Sequence, residues 1–103
     1  MSINKTDVGT IIEVQILENN TPVNIGSVTD FELHFSPPSG AEIVKKKSLG
    51  QITLYESGTT GKVRMTVPSG MWTVAGLWNC YPVVIWETGV EVYIGSSFSI
   101  RII

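Results

Sequence analysis

The chain has 103 residues, 43% hydrophobic and 16% charged, with a net charge of -2. That length holds one domain and one core, and the composition is far from that of a disordered chain. The mild acidity argues against nucleic acid, which calls for a basic face, and against attraction to anionic lipid. With a single cysteine, Cys80, no intrachain disulfide can form, so the fold rests on packing and suits a reducing cytoplasm. The first residues have no apolar run of signal-peptide length, and no segment approaches a membrane span, so the expectation is a protein that stays where it is made.

Period-two alternation dominates the chain, and no segment sustains a period of 3.6. From Thr10 to Leu17, Ile12, Val14 and Ile16 fall on one face and Ile11, Glu13 and Gln15 on the other, predicting a first strand. Residues 18–24 are rich in Asn and contain Pro22, a turn composition. Residues 30–36 predict a strand burying Phe31, Leu33 and Phe35, with Glu32, His34 and Ser36 outward. Pro37 and Pro38 end it, because neither can donate to a ladder, and residues 41–47 form the return strand.

Residues 51–56 predict a fourth strand, followed by a flexible turn through Gly58 and Gly61. In residues 62–67, Val63, Met65 and Val67 point inward; in residues 71–79, Trp72, Val74, Gly76 and Trp78 share a face. Residues 82–86 and 90–94 form a hairpin over Glu87, Thr88 and Gly89, and Phe98, Ile100 and Ile102 alternate to the end. Short strands punctuated by turns at this spacing predict an all-β fold: a single immunoglobulin-like antiparallel β-sandwich of about seven to nine strands spanning residues 1–103. The predicted core is Phe31, Leu33, Phe35, Trp72, Val74, Phe98 and Ile100.

Residues that could do chemistry are sparse. His34, the one histidine, lies on an outward strand face beside Glu32, and reads as a solvated or interface residue because a metal site needs three or four converging ligands. Cys80 lies in an apolar context that raises a thiol pKa, and reads as a small buried hydrophobe. The nine carboxylates are scattered, and the ten glycines form no phosphate-cradling loop ahead of a helix. No cofactor, metal or catalytic residue is expected. The run Lys45, Lys46 and Lys47 reads as an edge strand protected by charge, with an anchor for an acidic neighbour as its alternative.

Six motifs in order resemble the N-terminal immunoglobulin-like domain of phage baseplate upper proteins. They are Gly9-Thr10, Thr21-Pro22-Val23, Phe35 through Gly40, Gly61-Lys62-Val63, Gly70-Met71-Trp72 and Phe98-Ser99-Ile100. The resemblance covers nearly the whole chain. One departure is the segment 80–94, longer and more aromatic than the family's hairpin. The resemblance implies a non-enzymatic structural component of a tailed-bacteriophage virion, made in the host cytoplasm and acting by docking at the tail, baseplate or a fibre attachment. Its expected partners are other virion proteins and further copies of itself in a symmetric assembly, with neither nucleic acid nor membrane. Capsid decoration is the alternative within the virion, and a carbohydrate-binding module the alternative of another class. The atypical hairpin is the expected contact, through Tyr81, Val84, Trp86 and Tyr93.

Overall fold

The computed structural model describes residues 2–87, 90–93 and 97–103, with side chains placed for residues 2–86 and 97–103. Its strands in chain order are β1 (Ser2–Ile3), β2 (Ile11–Gln15), β3 (Leu17–Glu18), β4 (Thr21–Pro22), β5 (Asp30–Ser36), β6 (Ile43–Lys46), β7 (Thr53–Leu54), β8 (Lys62–Thr66), β9 (Gly76–Glu87), β10 (Val90–Tyr93) and β11 (Phe98–Ile102). Two short 3₁₀ turns, Lys47–Leu49 and Tyr55–Gly58, are the helical content of the described residues. Strand makes up 49% of the chain and there is almost no helix, so the fold is all-β.

β1, β11, β9, β5 and β6 lie side by side in that order, and β10 joins the free part of β9, giving a six-stranded sheet. β2, β8 and β7 form a second sheet, and β3 and β4 a separate hairpin. Among the described pairs all are antiparallel but one: β1 runs parallel to β11, Ser2 opposite Arg101.

Alternation along the strands decides what is buried. Phe31, Leu33 and Phe35 of β5, Trp78, Cys80 and Val84 of β9, and Ile100 and Ile102 of β11 enter one core with Ile12 of β2 and Val63 and Met65 of β8. Aromatic edges meet faces inside it: Trp72 and Trp78 stand 5.2 Å apart at 83°, and Phe35 and Trp72 6.0 Å apart at 82°. Such edge-to-face pairs add about 0.5–1.5 kcal/mol beyond area burial.

The expected turn at residues 18–24 is a tight hairpin in which Asn19 and Asn20 both have positive φ (51° and 62°). Two such residues in succession match the twist of the flanking strands. Elsewhere the chain departs from its local pattern. The predicted strand 51–56 shrinks to β7, because Glu56 and Ser57 adopt left-handed angles and turn the backbone onto the segment at Ile25. There the Ile25 N–H donates to the Gly58 carbonyl at 2.9 Å. Residues 71–75 are irregular, yet Trp72 is still 2% exposed.

The break expected between Asn79 and Pro82 does not exist, for β9 runs unbroken through both. On one side of β9, Pro82 stands opposite Leu33. On the other, β11 stops at Cys80 and β10 starts at Val83. A residue without an N–H is accommodated where the neighbouring strand changes.

Candidate functional site

The outward face of β5 presents Glu32, His34 and Ser36, and the neighbouring strands bring partners to each. β5 and β6 pair with His34 opposite Val44 and Phe35 opposite Ile43, so Glu42, just before β6, arrives beside Ser36. β9 places Tyr81 opposite His34 and Val83 opposite Glu32. A connected polar cluster results. His34 Nε2 lies 2.8 Å from Glu32 Oε1 and His34 Nδ1 2.7 Å from Glu42 Oε1. The Tyr81 and Ser36 hydroxyls donate to Glu42 Oε2 at 3.1 and 3.0 Å. The Tyr81 ring stacks on the imidazole at 4.7 Å, and Lys46 Nζ stands 3.6 Å from Glu32 Oε2.

A neutral imidazole has one donor and one acceptor, whereas two flanking carboxylates call for two donors. The geometry therefore matches the imidazolium. Burial pulls the His34 pKa down, but the hydrogen bonds and charges of Glu42 and Glu32 outweigh it and hold it above its ordinary value. The hydrogen bond from His34 is the largest influence on Glu42, and holds that carboxyl below its ordinary value. In the imidazolium both ring nitrogens donate, so below the folded-state pKa neither carries a lone pair for a metal or a proton. The cluster is a charged cross-link between β5, β9 and the approach to β6. Among the described residues no group of three or more His, Cys, Asp or Glu is arranged to hold a metal ion.

Sequence reasoning placed Glu32, His34 and Ser36 on the outward face but left Glu42 among scattered carboxylates, and Glu32 is only 6% exposed. The signal was the turn: a hairpin closed through Pro37 to Ala41 sets Glu42 opposite Ser36.

The contact residues expected on the atypical hairpin separate. Tyr81 faces outward in the cluster. Val84 is fully buried in the core, and Trp86 is half-buried and packed against that core, so the row offered as an outer contact is an inner one. The reason is register: Phe31, an inward residue, stands opposite Val84, and directly paired residues share a face. The Tyr93 backbone pairs with Val83, while its side chain lies outside the described residues. Of the expected core, Phe31, Leu33, Phe35, Trp72 and Ile100 are buried, and Val74 and Phe98 are partly buried against it. Cys80 is buried too, and desolvation pushes its thiol up to about 12.

A second polar group lies on the outer face of the smaller sheet. Arg64 Nε donates to Glu13 Oε2 at 2.6 Å while its guanidinium sits 3.8 Å over the Tyr55 ring. Lys62 Nζ is 3.9 Å from the other Glu13 oxygen. No helix among the described residues is long and apolar enough to cross a membrane. Comparison with known proteins adds no relative: no family model matches the chain, and no curated protein matches it.

Proposed function

We propose that this chain is a non-enzymatic structural module of a tailed-bacteriophage virion, an immunoglobulin-like β-sandwich that works by docking at the tail or baseplate. The observation that carries the non-enzymatic part is the closed cluster around His34. The one imidazole in the chain is spent between two carboxylates and a tyrosine ring, which suits a rigid face better than proton transfer. The all-β scaffold and the ordered motifs from Gly9-Thr10 to Phe98-Ser99-Ile100 support the virion part. Trp72 and Trp78 are buried and Trp86 is packed against the core, which favours protein docking over stacking on a sugar.

Docking of this kind is geometric. Repeated weak contacts in a symmetric particle sum through multivalency. The test is mass spectrometry of purified particles from the phage that encodes the chain, with electron microscopy to place it. The expected result is density for the domain at the tail or baseplate. Absence from particles overturns the proposal, and density on the head assigns capsid decoration instead.

A further inference from the structure

β2 is the outer strand of its sheet, and one of its edges has no strand partner among the described residues. Thr10 accepts from the Val67 N–H and Ile16 donates to Gly61, each at 2.8 Å, and the register between them is unbroken from Ile11 opposite Thr66 to Gln15 opposite Lys62. Backbone groups alternate in direction along an antiparallel strand. Those of Ile12 and Val14 therefore face β8, and the N–H and C=O of Ile11, Glu13 and Gln15 face away from it.

Proteins guard free edges with lysine, bulges or brevity. Here β6 carries Lys45 and Lys46, β1 and β7 are two residues long, and β10 has a register shift between Val90 and Glu91. β2 has none of these devices. Its one charge, Glu13, is already paired with Arg64 and Lys62. On the same outward row Ile11 is 58% exposed, and just past the strand Leu17 is 41% exposed. A cleft of about 620 Å³ is lined by β2 from Ile12 to Gln15, with Phe98 and Ile100 on its far wall.

We infer that this edge binds the same edge of a second copy, β2 running antiparallel to β2 about a two-fold axis at Val14, so that two three-stranded sheets become one of six. The spacing selects that register. Centred on Val14, Glu13 faces Gln15 of the second copy and Ile11 faces Leu17, so the exposed apolar side chains at the two ends cover one another. Centring on Glu13 sets two carboxylates opposite each other, which is unfavourable. Centring on Ile12 leaves Leu17 uncovered. The inference narrows the docking reading above to one edge and one partner.

The experiment is sedimentation of the whole chain across a concentration series, with two variants. Gln15→Pro removes an outward N–H while leaving the bonds to β8 in place, and a thermal melt confirms that it folds. Val14→Cys places two thiols across the axis, whereas the native Cys80 is buried. The expected results are a concentration-dependent dimer, a dissociation constant raised at least about tenfold by Gln15→Pro through two lost hydrogen bonds, and a disulfide-linked dimer from Val14→Cys on mild oxidation. A monomer at every concentration overturns the inference, as does a dimer that ignores Gln15→Pro and is not cross-linked through Val14→Cys. A monomer found in particles fails this inference alone; a dimer absent from particles fails the virion reading alone.

Discussion

His34 separates two carboxylates that would otherwise repel across the β5 face, and its charge state sets what the cluster contributes. Its folded-state pKa is raised above the ordinary 6.5, so its contribution is complete below that value and fades as pH rises through the folded-state pKa. Glu42 is lowered from 4.5, so its contribution is present above that value and is lost as pH falls through the folded-state pKa. The cluster therefore stabilises most between 4.5 and 6.5. His34→Gln should cost about 1–3 kcal/mol near pH 6, because it leaves the buried Glu32 carboxylate short of a donor. Urea midpoints should fall between about pH 6 and about pH 9 in the wild type and much less in the variant; equal slopes would remove His34 as the cause. At Trp72, buried against Phe35 and Trp78, replacement by Ala should cost about 3–5 kcal/mol in the same assay. A loss below about 1 kcal/mol would mean that its ring does not sustain the core.

Within single elements, β9 shows how a strand's outer neighbours decide its inner row. The sequence of residues 83–86 is apolar on both faces, so its pattern left either row free to enter the core. Pairing with β5 settles it, since Val84 shares a face with Phe31. Trp86→Ala should therefore act on folding, lowering stability by about 1–3 kcal/mol in chemical denaturation, rather than only on assembly. An unchanged midpoint would return Trp86 to the surface. Before β8, Gly61 has φ 72°, and a Cβ there would lie 2.7 Å from the Ile16 carbonyl and 2.8 Å from that of Val23. Gly61→Ala should cost more than about 1 kcal/mol, because an L side chain meets both a strained backbone angle and two oxygens. A variant as stable as the wild type would show that the β3 and β4 hairpin gives way there.

Across the whole molecule the core is continuous between the two sheets, and Cys80 reports on it. Its thiol is fully buried and hard to ionise, so a disulfide reagent should modify it only on the timescale of global opening, with a rate that rises in step with denaturant unfolding. Fast labelling under native conditions would place Cys80 at a locally opening edge. The all-β class and the burial of Phe31, Leu33, Phe35 and Ile100 were legible in the sequence because alternation and turn chemistry are local, acting over two to five residues. The Asn19 and Asn20 turn was legible for the same reason. The joining of His34 to Glu42, the passage of β9 through Pro82, the inward turn of Val84 and Trp86 and the parallel pairing of β1 with β11 were decided only by tertiary structure. Each depends on which distant strands lie side by side and in what register, and a side chain's face is settled by that partner whenever its own segment is apolar on both sides.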